Sequence, residues 1–230
     1  MRNRNCYTDS PSVTEDIQII NKPDLNEWYK RNSYSYILHR SQLEQDIGNA
    51  VHMIISKSTQ SKTGKCKVNL RPEIIPAVDL SIQAYKYWQS KHPELIPIAS
   101  EYYVRSAKNG YQGRIDRINK YKGTDYYDIC DWKTAYDKIY PTTFLQLAAY
   151  ACIFEEQFPE KRVITIRAVS LGKVSGEPLE AVKEREKIAR LLEIYKAARV
   201  LNGYMRKEAV IRPGTEIDKI AREILARGEK

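Results

Sequence analysis

The chain has 230 residues, 42% of them hydrophobic, and a formal net charge of +9 at neutral pH. This length suits one domain with a substantial core, while the lack of ~18 consecutive apolar residues and of an apolar leader excludes a membrane span and a secretory signal, so we expect a soluble, cytoplasmic protein. The basic excess fits either an anionic partner such as nucleic acid or a solvated basic surface.

The N-terminal part of the chain predicts helices that follow a flexible segment, residues 1–20. The stretch "NKPDLNEWYKRN" predicts a short helix with Pro23 in its first turn. In "RSQLEQDIGNAVHMIISKS" a capping box of Ser41 and Glu44 precedes apolar residues at helical spacing. The stretch "AVDLSIQAYKYWQSKHP" predicts a further helix that ends near Pro93.

The pattern then changes from helices to strands. Asn109 and Gly110 stand between two β-rich segments, and this dipeptide is a strong hairpin signal. A second turn region, "NKYKGTD", leads into "YYDICDWKTA". We predict three sequential antiparallel strands at about 100–107, 111–118 and 126–134.

The rest of the chain alternates helix and strand. "PTTFLQLAAYACIFEEQFP" predicts an apolar helix, and "KRVITIRAVSL" a fourth strand, with a right-handed crossover if it lies parallel to the preceding strand. "LEAVKEREKIARLLEIYKAARVLNG" predicts a long amphipathic helix that ends near Gly203, before a tail over 204–230 with a short helix at 215–227. The order indicates one α/β domain over 21–203, with its core at 98–170 and helices added before it.

Three charged residues in the strand region carry the candidate chemistry. Asp116 lies on the middle predicted strand, and Asp131 and Lys133 lie two apart on the next, so their side chains share a face. A charged pair on an otherwise apolar strand is costly unless it is paired or holds a metal. Without other evidence, the simpler interpretation of Asp131 and Lys133 is an ion pair at the edge of a sheet.

Carboxylates on neighbouring strands, about 4.8 Å apart, can converge on one cation. Hard oxygen ligands and few protein donors suit Mg²⁺ or Mn²⁺, which would polarise a scissile phosphate and activate water. Lys133 could orient or deprotonate that water, or stabilise the developing charge. Glu101 could be a further acidic ligand of the metal, or it could contact the ligands and hold them in position.

Several short motifs occur in a fixed order along the chain. "GYQGRIDRI" matches a G-x-x-D strand and contains Asp116, and "DICDWKT" matches a D-x-K strand with Asp131 and Lys133. "QLAAY" matches a Q-x-x-x-Y helix signature with Gln146 and Tyr150. In this order the motifs resemble the PD-(D/E)XK nuclease superfamily and, within it, the RecB-like exonuclease branch.

The resemblance covers roughly residues 23–170. "GNAVHMII" is similar to the helix whose histidine joins the metal site, which implies that His52 is a ligand, and "LNEWYKR" is similar to an N-terminal helix with a tryptophan. Glu101 matches the acidic residue that often opens the first core strand of this branch. Relatives include the CRISPR-associated and mitochondrial genome maintenance exonucleases.

The resemblance implies a restriction-endonuclease-like core: a mixed central sheet with an antiparallel meander, flanked by helices. It also implies metal-dependent hydrolysis of DNA, with His52, Asp116 and Asp131 as metal ligands. Gln146 and Tyr150 are then expected to contact the DNA backbone and support the site. In isolation they read as a polar cap and a core tyrosine. The arginines that we expect to contact DNA are Arg31, Arg40, Arg114 and Arg117.

Two departures from the relatives bear on the cofactor and the source. Iron–sulfur relatives carry one cysteine before the core and three after it, whereas the cysteines of this chain are Cys6, Cys66, Cys130 and Cys152. We therefore predict no iron–sulfur cluster and reduced thiols. The helicase portion of the long recombination enzymes is missing, which is compatible with a stand-alone module of a phage or small mobile element.

Three functions remain open from the sequence. The leading hypothesis is a Mg²⁺-dependent DNA exonuclease acting on single strands or DNA ends in repair, recombination or replication. The first alternative is a structure-specific or restriction-type endonuclease on the same core. The second is a nucleic-acid-binding protein that has lost catalysis, although such a protein is expected to lack at least one of Asp116, Asp131 and Lys133.

Overall fold

The computed structural model describes residues 10–20, 22–60, 69–134 and 138–208, and these contain six α-helices, two single 3₁₀ turns and five strands. The helices are α1 (Val13–Asp16), α2 (Pro23–Arg31), α3 (Tyr34–Gln60), α4 (Ile75–Lys91), α5 (Pro141–Gln157) and α6 (Arg185–Glu208). The strands are β1 (Leu95–Ser106), β2 (Tyr111–Tyr121), β3 (Tyr126–Lys133), β4 (Arg162–Leu171) and β5 (Pro178–Glu184).

The five strands form one mixed sheet in the order β1-β2-β3-β4-β5. Strands β1, β2 and β3 are a sequential antiparallel meander, β4 lies parallel to β3, and β5 pairs antiparallel with β4. A parallel neighbour requires a crossover connection, and α5 supplies it between β3 and β4. The predicted mixed sheet with a meander is therefore confirmed.

Helices cover both faces of the sheet, which makes β3 apolar on both sides. Ile129 belongs to a core cluster with Leu147 and Phe154 of α5, whereas Trp132 belongs to a second cluster with Val51 of α3 and Trp88 of α4. A strand buried on both faces reads as a continuous hydrophobic run rather than an alternation. The two aspartates of β3, Asp128 and Asp131, are consequently buried, while Lys133 at the end of the strand is partly exposed.

Helix α3 begins seven residues before the predicted capping box. Ser41 lies inside the helix, so its assignment as the N-cap is wrong. No Pro or Gly interrupts the chain between Tyr34 and Ser41, and nothing prevents the helix from starting earlier. The capping partner, Glu44, instead makes ion pairs with Arg40, at 2.8 Å, and with Lys173.

The C-terminal part of the sheet also differs from the prediction. Pro178–Glu184 is a strand, although we predicted that the last helix began there. Its Glu, Ala and Lys favour a helix, but pairing along the free edge of β4 overrides that propensity. Helix α6 continues through Gly203 to Glu208, because one helical glycine costs only about 1 kcal/mol.

Part of the predicted flexible N-terminal segment is packed. A capping box of Ser12 and Glu15 starts α1, and Val13 and Ile17 are buried in the core cluster that contains α5. The short helix predicted at 215–227 lies outside the described residues. Among the helices that the structure describes, none is long and apolar enough to cross a membrane.

Candidate active site

Three side chains from three elements converge near the middle of the first two strands of the meander. His52 of α3, Glu101 of β1 and Asp116 of β2 each offer one ligand atom, and these atoms lie within 4.8 Å of one another. His52 Nδ1 is 3.3 Å from Glu101 Oε1 and 3.5 Å from Asp116 Oδ1. An imidazole nitrogen with two carboxylate oxygens is a donor set that divalent metals bind.

The strand register explains why acidic residues meet here. Ser100 pairs with Arg117 and Tyr102 with Ile115, which places Glu101 opposite Asp116. Arg117 in turn pairs with Cys130, so Asp116 lies level with Asp131, one position beyond the last pair between β2 and β3. The meander therefore lines up three carboxylates across neighbouring strands.

Asp131 and Lys133 form an ion pair next to this group. Lys133 Nζ lies 2.7 Å from Asp131 Oδ2, which is buried and makes no well-aligned hydrogen bond among the described residues. Asp131 itself is not one of the three residues whose ligand atoms cluster. A buried carboxylate oxygen with only an ionic partner is suited to an additional cation.

Glu101 adopts an uncommon backbone conformation. Its φ is +53°, the only positive φ outside glycine among the described residues. Such a conformation costs of order 1–3 kcal/mol, and it persists where the surroundings over-determine it. Here Glu101 is held on both sides, because Arg114 Nε forms an ion pair with its Oε2 at 2.8 Å while His52 contacts its Oε1. Nothing in the sequence indicated this strain.

The backbone of Trp132 holds two of the clustered side chains. Its N–H donates to Asp116 Oδ2 at 2.8 Å, and its carbonyl lies 3.1 Å from His52 Nε2. A proton on Nε2 can be donated to that carbonyl, which leaves Nδ1 facing the carboxylates. The indole is 1% exposed and packs edge-to-face against Tyr85 and Trp88. Sequence reasoning missed this role; the only signal was an aromatic residue inside the D-x-K motif.

Electrostatics at the site favour a bound cation. Burial by itself lowers the pKa of His52, but the carboxylates of Asp116 and Glu101 outweigh it and raise that pKa to about 10. For Asp116, burial works to raise the pKa, whereas His52, Lys133 and the Trp132 N–H together lower it. Without a metal, the proton on His52 serves as the counter-charge.

The Asp131–Lys133 pair is asymmetric. Burial, aided by repulsion from Asp116, raises the pKa of Asp131 to about 6 despite its contact with Lys133. Burial works to lower the pKa of Lys133, but Asp131 and Asp116 outweigh it and raise that pKa. Lys133 is therefore an ammonium at neutral pH.

The two residues of the Q-x-x-x-Y motif lie on α5, next to the strand that carries Asp116. Gln146 Nε2 donates to the Tyr150 hydroxyl at 3.0 Å, both on α5. A Cβ on Gly113 would lie 2.4 Å from the Tyr150 ring, so the first residue of the G-x-x-D motif must be glycine for α5 to pack there. Tyr150 thus supports β2 three residues before Asp116.

The predicted DNA-contacting arginines separate into two groups. Arg114 is 64% exposed beside Glu101, Arg31 is also exposed, and Arg40 lines a cavity next to Lys133. Arg117 is 1% exposed and bonds to Tyr85 and Gln89, so its assignment to DNA contact is wrong. It follows Asp116 on the strand, and the alternation of side chains along a strand turns it to the opposite face, toward Tyr85 and Gln89 of α4.

Comparison with known proteins identifies a family. A family model described as the PD-(D/E)XK nuclease superfamily matches residues 27–216. Among solved structures, a presumed exonuclease from Eubacterium rectale is 11% identical, with 91% of this chain and 88% of that chain covered and a TM-score of 0.47. An alkaline exonuclease from Laribacter hongkongensis is 13% identical, with 68% and 83% covered and a TM-score of 0.35. A comparison with curated proteins gave no match.

Proposed function

The chain belongs to the PD-(D/E)XK nuclease superfamily, and from that premise we propose that it is a divalent-metal-dependent DNA exonuclease acting on single strands or DNA ends. Membership in this superfamily implies a nuclease whose substrate is nucleic acid. The observation that carries the metal dependence is the convergence of His52, Glu101 and Asp116 within 4.8 Å, beside the Asp131–Lys133 pair. Action on single strands or DNA ends follows from the resemblance of the motifs to the RecB-like branch. Repair, recombination or replication are the processes that such an enzyme would serve.

The residues fit a hard divalent cation. His52, Glu101 and Asp116 would hold it, and Asp131 would join them, since its buried Oδ2 lacks a well-aligned hydrogen bond. When bound, Mg²⁺ or Mn²⁺ supplies Lewis-acid polarisation of the scissile phosphate and acidifies the attacking water. In this proposal Glu101 is a direct ligand, whereas the sequence left it open as a ligand or a supporting group.

Lys133 acts in this mechanism as a cation. In the metal-free protein Asp131 and Asp116 raise its pKa, so the proposal gives it the role of a stabilising charge and not that of the base. The ammonium instead orients the attacking water and stabilises negative charge that develops on the phosphate. Asp131, 2.7 Å away, fixes its position.

The surrounding residues position the substrate and the strands. Arg114, largely exposed beside Glu101, contacts a DNA phosphate, and its guanidinium suits that geometry. Gln146 and Tyr150 hold α5 against Gly113 and so keep Asp116 in place. This assigns Tyr150 a supporting role rather than a direct contact with DNA.

The test uses end-labelled linear and closed circular DNA, single- and double-stranded, with Mg²⁺, Mn²⁺ or EDTA. We expect metal-dependent release of nucleotides from linear single strands and no cutting of circles. Asp116→Ala and Lys133→Ala should abolish cleavage with the fold intact by circular dichroism, while Asp125→Ala, in an exposed turn, serves as the matched control. Cutting of circles would favour the endonuclease, and full activity of Asp116→Ala would refute the assigned site.

A further inference from the structure

A cavity of about 920 Å³ opens beside Lys133. Residues of α2 and of the first turns of α3 line it, together with Thr134, Lys138 and Tyr140, which follow β3. Its lining includes the aromatic rings of Trp28, Tyr36 and Tyr140. The same lining carries five cationic and two acidic side chains, so positive charge is in excess. The cavity adjoins the proposed reacting centre and shares Lys133 with it.

The aromatic residues of this wall do not serve the hydrophobic core. Helix α2 contains no buried residue, and Tyr29 and Tyr36 are both exposed. The rings instead associate with one another: the centroids of Trp28 and Tyr29 are 5.3 Å apart, and those of Trp28 and Tyr36 are 6.3 Å apart. Two exposed tyrosine rings around a partly exposed tryptophan, all facing a cavity, mark a binding surface rather than a packing requirement.

The charges of the cavity fit an anion with spaced negative groups. Lys138 and Asp24 form an exposed ion pair at 2.9 Å, a contact weak enough to be exchanged for a phosphate. Arg40 pairs with Glu44 at 2.8 Å, and Lys133 stands at the inner end. Cations placed at several points along an aromatic wall are the arrangement that binds a sugar-phosphate chain with its bases stacked.

We propose that this cavity binds unpaired nucleotides of a single-stranded DNA end, with a base stacked on Trp28 and phosphates on Lys138 and Arg40. Bases in a duplex are already stacked on one another, so only unpaired bases present a free face to the Trp28 ring. Bound in this way, the strand leads its phosphodiester to Lys133. The inference rests on the proposed nuclease function and deepens it, since it makes Trp28 the residue that selects single strands.

The first test measures binding without cleavage. Fluorescently labelled oligo(dT) is titrated with protein in EDTA, and anisotropy gives the dissociation constant. Trp28→Ala should weaken binding about 5- to 150-fold, the range for loss of one base-stacking ring, while Trp28→Phe retains most of it. The control is Tyr126→Ala, which removes an exposed ring at the other end of β3 from Lys133.

Two outcomes of this test would overturn the proposal. One is a loss for Trp28→Ala no greater than that for Tyr126→Ala. The other is an equal loss on a blunt duplex of the same length, which would remove the argument for unpaired bases. Because α2 has no buried residue, Trp28→Ala should keep the wild-type melting temperature, so loss of binding cannot be attributed to unfolding.

The second test concerns the phosphates. For single strands, each phosphate contact contributes about 0.7 to the slope of log affinity against log salt concentration. Lys138→Ala should lower the slope by about that amount. Lys120→Ala is the matched control, because Lys120 also forms an exposed pair with an aspartate, Asp125, at 2.7 Å. Equal slopes for Lys138→Ala and wild type would refute the contact.

Failure of this inference can be distinguished from failure of the proposed function. If wild type shows metal-dependent cleavage and Trp28→Ala cleaves single strands equally well, the cavity assignment is wrong and the nuclease stands. If wild type never cleaves but binds single strands through Trp28, the nuclease proposal is wrong and the cavity assignment stands.

Discussion

Two buried aspartates lie three residues apart on β3 and have opposite surroundings. Asp128 is fully buried and accepts hydrogen bonds from three side chains, Asn119 at 3.0 Å, Thr165 at 2.7 Å and Arg167 at 3.1 Å. Its charge is satisfied within the protein. Such a carboxylate ties β2, β3 and β4 together and needs no further ligand.

Asp131, only 3% exposed, is not satisfied in this way. Its Oδ2 has Lys133 at 2.7 Å but no well-aligned hydrogen bond, and Asp116 lies close enough to repel it. The chain therefore leaves negative charge at one end of the strand that an external cation can neutralise. In our proposal Asp131 is functional and Asp128 is structural, and what separates the two buried aspartates is how far their neighbours satisfy the charge.

The largest effect is expected for Asp131→Asn. Loss of a carboxylate that acts with the metal and Lys133 should lower the single-turnover cleavage rate by about 10⁴-fold or more, as for other members of a catalytic unit. The free energy of unfolding without metal should equal or exceed that of wild type, because an unfavourable buried charge is removed. Retained cleavage would place Asp131 with Asp128 as a structural residue.

Asp128→Asn should show the reverse pattern. The variant weakens the buried hydrogen bonds of Asp128 and removes one of the two carboxylate partners of Arg167, the other being Glu180, which should cost about 1–3 kcal/mol of stability in urea unfolding. Cleavage per folded molecule should change little. A large loss of cleavage in fully folded Asp128→Asn protein would break the distinction between the two aspartates.

A pH titration of stability sharpens the comparison. The pKa of Asp131 is about 6 in the folded protein and near 3.8 when unfolded, so the unfolded chain loses its proton first as pH rises. Asp131 therefore lowers metal-free stability progressively between about pH 4 and 6, by roughly 3 kcal/mol in total. Urea unfolding of wild type and Asp131→Asn from pH 3.5 to 8 should show a difference that grows across this window. A constant difference would contradict the assignment.

The smallest effect is expected for Trp132→Phe. The backbone of residue 132 holds Asp116 and His52, and its ring is fixed by Tyr85 and Trp88. A smaller ring should loosen the hold on Asp116 and His52 and weaken the affinity for Mn²⁺ about 10-fold. This is the lower end of the range of about 10- to 100-fold for loss of a group that orients metal ligands. Calorimetric titration measures the affinity. Trp88→Phe should weaken the affinity less, because Trp88 packs on the Trp132 ring and is one contact further from the site. Equal affinities of Trp132→Phe and wild type would refute the positioning role.

Local pattern was sufficient for most of the fold. Amphipathic periodicity predicted the long helices, and the Asn109–Gly110 turn predicted the meander, because both signals arise within a few adjacent residues. The fifth strand, Pro178–Glu184, was missed because its conformation depends on the free edge of β4 rather than on its own residues. The early start of α3 was missed because a capping-box pattern can occur inside a helix.

The sequence by itself determined the fold class and singled out Asp116, Asp131 and Lys133, since each lies in a short motif whose spacing along a strand is local information. Only the tertiary structure decided how these residues are used. It turned the strained Glu101 toward His52, used the Trp132 backbone to hold two side chains, buried Arg117 and enclosed a cavity beside Lys133. These features depend on contacts between residues far apart in the chain, and the energy of such contacts cannot be predicted from the local sequence.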